Sequence, residues 1–393
     1  MIQFLYRVRS LRPALGALIL GVLAACASDP ELPPAPVEER SPGGTPGAGT
    51  APPAAAREGA TVIQRARARW TAAQWSELPG WERDATSELW PALLRGCERP
   101  APDWARVCED ARAAGALSDA AARQWMRQRL QPWRVETLEG ATDGLITGYF
   151  EPLIEASRTA RGPFRVPLHT APKDLASRNP YWTRQQIDTL PAARAALQGR
   201  ELAYVADPLD ALVLQIQGSG RLQLHEADGS QRLIRAAFAA HNNQPYKSVG
   251  RWLIDQGEIR ADQASWPGIK AWAQRNPKRV NELLWSNPRT VFFREEPLPD
   301  PSVGPRGAQG VPLTPGRSIA VDPQSIPYGT PVWLDTTEPL SSQPLQRLVM
   351  AQDTGSAIVG AVRADYFWGW GPQAEQQAGR MKQSLRMWVL WPR

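Results

Sequence analysis

The chain has 393 residues, 42% of them hydrophobic, with 17 tryptophans and 45 basic against 39 acidic side chains, for a formal charge of +6. That is enough apolar material for more than one packed body. No lysine or arginine cluster follows a helix face, which argues against a nucleic-acid partner, and His169, His225 and His241 are too scattered to suggest a metal site.

The N-terminus joins three basic residues, Arg7, Arg9 and Arg12, to an apolar stretch from Ala14 to Leu23 that is too short to span a bilayer, and closes on Leu23-Ala24-Ala25-Cys26. Residues 1–25 therefore read as a lipoprotein signal, with lipid attachment at Cys26 after cleavage. A plain secretory signal followed by a coincidental cysteine is the weaker alternative. Ala27 and Ser28, and no aspartate, stand directly after Cys26, so the expected location is the periplasmic face of the outer membrane, with the chain held there by its lipid. Three arginines and no acid leave with the signal, so the mature charge is +3. Such a mildly basic surface suits an anionic wall polymer. Residues 26–60 are dominated by Pro, Ala, Gly and Ser and form a tether, whose extended reach is on the order of 100 Å.

From 61 to about 135 apolar residues recur at helical spacing, as in Val62, Ala66, Trp70 and Ala73, or Ala121, Trp125, Met126 and Leu130. Several helices are expected here, with Trp70, Trp75, Trp81, Trp90, Trp104, Trp125 and Trp133 as core. Cys97 and Cys108 face an oxidising compartment, where either a disulfide or two buried thiols fit. From 150 to 295 the pattern becomes mostly β. Thr183 and Gln186 form a capping box for a helix that Pro191 must break or kink and that ends at Gly199. Strands are expected at Leu202–Val205, Ala211–Gln217, Arg221–His225 and Arg232–Phe238, with a turn at Asp228-Gly229. Helices return at Ser248–Gln256 and within Pro267–Trp285. In a strand, Gln215 and Gln217 share a face, and two amides beside Gly218, Ser219 and Gly220 suit sugar hydroxyls and N-acetyl groups; a solvent-exposed strand face is the bland alternative. From about 296 the chain is again β, punctuated by Pro and Gly.

With only three histidines in the chain, acid/base work falls to carboxyl groups. Asp322, Asp353 and Asp365 each follow or sit in an apolar strand-like run near a turn residue, which places them at strand ends. Any one of them taken singly is more often a turn former. Asp365 lies among Tyr366, Phe367, Trp368 and Trp370, a setting that strips hydration and raises a carboxyl pKa; a nearby Asp353 adds to the shift and Arg363 opposes it. In Thr147 to Pro152, Tyr149 is either a groove-lining or a buried tyrosine, and Glu151 before Pro152 reads as structural.

Five segments carry a resemblance: Thr147 to Pro152, Gln215 to Arg221, Gly316 to Thr330, Asp353 to Gly360 and Arg363 to Gly369. In this order they resemble the membrane-bound lytic murein transglycosylase A family, with its three-aspartate domain. Asn242-Asn243 and Ser356 depart from the pattern at turns. The resemblance implies an α+β, mainly β fold: a double-psi β-barrel with N-terminal helices, built from 61–150 and 296–393, an inserted glycan-binding β domain at 151–295, and a groove between them. It implies a peptidoglycan lytic exotransglycosylase without cofactor, forming 1,6-anhydromuramic ends, with Asp365 as acid then base and Asp353 and Asp322 in support. Thr147, Tyr149, Gln215, Gln217, Gly218 and Ser219 are then substrate-binding residues. Expected partners are peptidoglycan glycan strands, the membrane through the lipid, and other envelope enzymes. Two competitors remain: a glycan-binding lipoprotein without activity, and an aspartic protease through Asp353-Thr354-Gly355. The protease needs a second such triplet, which the sequence lacks.

Overall fold

The computed structural model describes residues 61–393, so the signal, Cys26 and most of the tether lie outside the described residues. In chain order the strands are β1 (Val62–Gln64), β2 (Arg69–Ala72), β3 (Leu130–Glu136), β4 (Gly144–Glu151), β5 (Leu153–Ser157), β6 (Val166–His169), β7 (Glu201–Val205), β8 (Gly220–His225), β9 (Gln231–His241), β10 (Val291–Pro297), β11 (Ser318–Val321), β12 (Thr330–Thr337), β13 (Pro344–Asp353), β14 (Arg363–Trp370) and β15 (Lys382–Pro392).

Period-2 alternation along the late strands decides the first sheet. Ile319, Val321, Val332, Leu334, Val349, Ala351, Ala364 and Tyr366 point to a shared interior. The sheet runs β1-β2-β3-β15-β12-β13-β11-β14-β4, and a further pairing of β15 with β4 curls its last six strands into a barrel. Closure pairs β4, which would otherwise be a free edge, and leaves β1 as the outer strand of the sheet. β11 with β13 and β14 with β4 run parallel; the remaining contacts are antiparallel. The expected mainly β barrel with N-terminal helices is therefore present.

Three helices, α1 (Trp90–Gly96), α2 (Ala105–Ala114) and α3 (Asp119–Arg129), cover the outside of this barrel. Their Trp90, Leu93, Val107 and Met126 pack with Trp333, Leu348, Met350 and Trp388 from the sheet. Each such burial contributes roughly 1.5–3 kcal/mol. Ser118 caps α3 by accepting from the Ala121 N–H. Cys97 and Cys108 are joined in a disulfide with a Cα–Cα distance of 5.3 Å, between the end of α1 and α2. One expectation fails here: Val62 to Ala73 is not helical. Those apolar spacings also fit two short strands around a bend, and the register Ile63 opposite Trp70 buries Trp70 in the barrel core.

The second sheet has the order β10-β9-β8-β5-β7-β6. Pro191 breaks the expected helix into α4 (Arg184–Thr189) and α5 (Pro191–Leu197), and the Thr183–Gln186 capping box is formed. Next comes α6 (Pro208–Gln217), which corrects the strand expected at Ala211–Gln217. An unbroken apolar run fits a strand or a buried helix equally, and the flanks decide. Asp207 accepts from the Leu209 N–H, Pro208 occupies the first turn, and Gly218 ends the helix at φ +83°. Helices α7 (Val249–Asp255), α8 (Trp266–Arg275) and α9 (Val280–Ser286) pack on α6 through Leu212, Leu253, Trp272 and Leu283. A last helix, α10 (Pro372–Ala378), joins β14 to β15.

Candidate active site

A cavity of about 860 Å³ opens between the barrel and the second sheet. Tyr149 of β4, Phe367 of β14 and the turn Asp353 to Ser356 line one wall; Gln215 to Ser219, Phe238, His241 and Arg289 line the other. The parallel pairing of β14 with β4 sets Asp365 opposite Thr147 and Phe367 opposite Tyr149. Residues two apart on a strand share a face, about 6–7 Å apart. Asp365 and Thr147 therefore continue the face whose Phe367 and Tyr149 line the cavity, although neither of the two lines that cavity itself.

The Asp365 carboxyl is half-buried. Thr147 donates its hydroxyl hydrogen to Asp365 Oδ1 at 2.7 Å and accepts from Arg363 Nη2 at 2.9 Å. Because Arg363 occupies the hydroxyl's acceptor side, its single hydrogen is directed at the carboxyl, which favours the ionised form. Loss of hydration outweighs this, and the Asp365 pKa is pushed up to about 6; Thr147 and then Arg363 pull it down, and the Asp353 charge adds a smaller upward push. Asp353 ends β13 and does reach the cavity. Tyr149 donates to its Oδ2 at 3.0 Å and the Ala308 N–H to its Oδ1 at 2.9 Å. Burial raises the Asp353 pKa despite these bonds, and the Tyr149 hydroxyl is pushed up by burial and then by both carboxylates.

Asp365 is the third residue of β14 rather than a strand terminus, whereas Asp353 closes a strand and Asp322 follows one. Asp322 stands apart from the cavity. Only 3% exposed, it accepts from Gln324 N at 2.9 Å through Oδ1, and from Gly360 N at 2.9 Å and Arg67 Nη1 at 3.1 Å through Oδ2. The bond from Gly360 fastens Asp322 to the loop that connects Asp353 to Asp365. Thr147, expected to bind substrate, bonds to Asp365 and is not among the residues that line the cavity.

On α6 the two glutamines do not share a strand face, yet both line the cavity because they occupy the last helical turn. Gln215 Oε1 accepts from Arg184 Nη2 at 2.8 Å and Val291 N at 3.3 Å; Gln217 Oε1 accepts from Phe150 N at 3.1 Å. With their oxygens occupied, both amides keep their NH2 donors for a ligand. Gly218 and Ser219 lie beside them in the wall. Arg184, Phe238 and Arg289 are not distinguished as site residues by anything near them in the chain, and His241 enters the sequence reading only as a candidate metal ligand; β9, α4 and the turn before β10 bring them together. Phe238 is 44% exposed on this wall, an aromatic face on which a sugar ring can stack. Among the described residues no group of three His, Cys, Asp or Glu side chains is arranged to hold a metal ion.

Residues 145–294 match the MltA specific insert domain, and residues 317–391 match the 3D domain. Membrane-bound lytic murein transglycosylase A of Escherichia coli strain K12 is 33% identical over 273 residues, 67% of this chain and 70% of that protein. The lytic transglycosylase LtgG of Burkholderia pseudomallei is 46% identical, with 87% of this chain and 99% of that one covered and a TM-score of 0.58. Escherichia coli MltA, solved with bound chitohexaose, is 28% identical over 81% of this chain and 89% of its own, with a TM-score of 0.59.

Proposed function

This chain belongs to the membrane-bound lytic murein transglycosylase A family, and we propose that it cuts the β-1,4 bond between N-acetylmuramic acid and N-acetylglucosamine with Asp365 as acid and then base. As a family member it is a lytic transglycosylase of peptidoglycan, a glycan lyase. The observation that carries the finer reading is the Asp365 carboxyl, half-buried, held by Thr147 and poised at a pKa of about 6 on the face that continues to Tyr149 and Phe367. A hydrolase needs two carboxyl groups, one to protonate the leaving oxygen and one to attack or to activate water. Here one group suffices. Protonated Asp365 gives its proton to the glycosidic oxygen, the C1–O bond breaks, and the resulting carboxylate takes the proton of the muramyl 6-hydroxyl as that oxygen closes onto C1. Attack from within the same sugar gains from proximity and needs no cofactor.

Asp353, held by Tyr149 at the cavity, raises the acid's pKa and stabilises positive charge developing at C1. Asp322 supports both by fixing the loop between them. Gln215, Gln217, Gly218 and Ser219 bind the N-acetyl sugars, a reading supported by the relative that holds chitohexaose. The test is mass spectrometry of digested sacculi: anhydromuropeptides are expected, whereas free reducing ends alone, or intact glycan with retained protein, rule the reading out.

The pH profile gives a second test. Because the acid must begin protonated, kcat/KM is expected to fall as pH rises through about 6. Thr147→Val removes a bond to the carboxylate, so this limb moves to higher pH. Asp353→Asn removes a like charge, so it moves to lower pH. Equal shifts in one direction contradict Asp365 as the titrating acid.

Lipid attachment at Cys26 on the periplasmic face of the outer membrane belongs to the same reading, and the tether lets the body reach the wall from there. No described helix is long and apolar enough to cross a membrane. Cys26→Ser is expected to move the protein from the membrane fraction to the soluble one; unchanged fractionation opposes the anchor.

A further inference from the structure

Five arginines line the cavity, Arg99, Arg184, Arg289, Arg294 and Arg306, against two carboxylates, Asp353 and Glu296. Glu296 is used by Arg294 at 2.6 Å, and Asp353 by Tyr149 and Ala308. Among the described residues, none of the other four arginines has a carboxylate within salt-bridge reach. Arg184 is only 8% exposed and gives its hydrogens to neutral groups: the Asn287 carbonyl at 3.1 Å, Gln215 Oε1 at 2.8 Å and the Arg289 carbonyl. Arg289, half-buried beside it, donates Nε to the Gln244 carbonyl at 2.8 Å. Across the cavity Arg306 donates to the Gly310 carbonyl at 3.0 Å.

Of these groups Arg289 is half-buried with no carboxylate in salt-bridge reach, an arrangement that is costly unless something anionic enters, while Arg99 and Arg306 are exposed charges facing the same space. A chain of N-acetyl sugars is neutral and gives such groups nothing to neutralise. In peptidoglycan the ionised groups near the muramyl ring are the carboxylates of its stem peptide. Resting on the proposed function, we infer that the cavity contains a carboxylate subsite for the stem peptide. Arg289 supplies it on one wall and Arg99 with Arg306 on the other, while Arg184 is a positioning residue that holds the Arg289 backbone. Guanidinium groups suit this work because their paired donors match a carboxylate's two oxygens.

The experiment compares kcat/KM on peptide-bearing glycan strands with that on the same strands whose stem-peptide carboxylates have been amidated, for the full chain. The wild type is expected to favour the unamidated strands by at least about tenfold, the effect of one charge-assisted contact. That ratio is expected to fall toward one in Arg289→Gln and in the doubly substituted Arg99→Gln, Arg306→Gln chain, chiefly through KM. The second variant changes only exposed side chains and so guards against a folding defect. A fall in only one variant assigns the subsite to that wall. A wild-type ratio near one, or an unchanged ratio in both variants, overturns the inference while leaving the lyase reading intact. Absence of anhydro ends from both substrates overturns the two together.

Discussion

Replacing Asp365 by Asn is expected to lower release of anhydromuropeptides by about 10²–10⁴-fold, the usual worth of a positioned acid or base, and toward the upper end because one group serves both proton transfers. Asn keeps the size of the side chain and its carbonyl can still accept from the Thr147 hydroxyl, but it has no acidic proton to give. The fold is expected to survive. Burial raises the wild-type Asp365 pKa above its unfolded value, so the native state holds that proton more tightly and loses relative stability as pH rises through about 6. Asn carries no charge to desolvate, so at pH 7 the variant should melt no lower than the wild type and should retain glycan binding. Full activity in Asp365→Asn, or a deeper loss in Asp353→Asn, reverses the assignment. The second outcome gives the acid's role to Asp353, the carboxyl that lines the cavity directly.

How far the sequence disclosed this site depends on which contacts are local. Thr183 with Gln186, Pro191 and Asp228-Gly229 act within a few residues, and the helix cap, the break and the turn are where they were expected. Ala211–Gln217 was misread because its apolar run suits either period, while the deciding signals, Asp207-Pro208 and Gly218, lie at its flanks. The aromatic setting of Asp365 announced a raised pKa, but the Thr147 hydroxyl that tunes it lies 218 residues away and arrives only when the barrel closes. The arginine wall was the least visible. Each of its residues is an ordinary arginine in its own segment, and only the lack, among the described residues, of a carboxylate within salt-bridge reach of Arg99, Arg184, Arg289 and Arg306 sets it apart.

Glu151→Gln is expected to cost about 3–5 kcal/mol of stability, the effect of leaving buried charges without their partner. At roughly 2 cal/mol/K per residue, a body of this size should then melt about 4–7 °C lower. The Glu151 side chain is fully buried between Arg221 and Arg235, themselves 4% and 5% exposed. Arg221 Nε donates to Glu151 Oε2 at 2.8 Å, and Arg235 Nε donates to Glu151 Oε1. The same two arginines donate to the Pro301 and Val303 carbonyls, and Arg221 also lies 3.8 Å from the Trp370 ring centroid. Glu151 ends β4, where the chain leaves the barrel, and residues 301–303 lie where it returns. One carboxylate thus binds both crossings through two guanidinium groups, and these crossings adjoin the cavity, which Phe150 and Pro305 line. Gln can replace the hydrogen bonds but not the charge. Beyond the lower melting temperature, KM for glycan is therefore expected to rise, since a loosened crossing lets the two walls separate. A variant with wild-type melting and wild-type KM removes the ion cluster from any part in holding the cavity together.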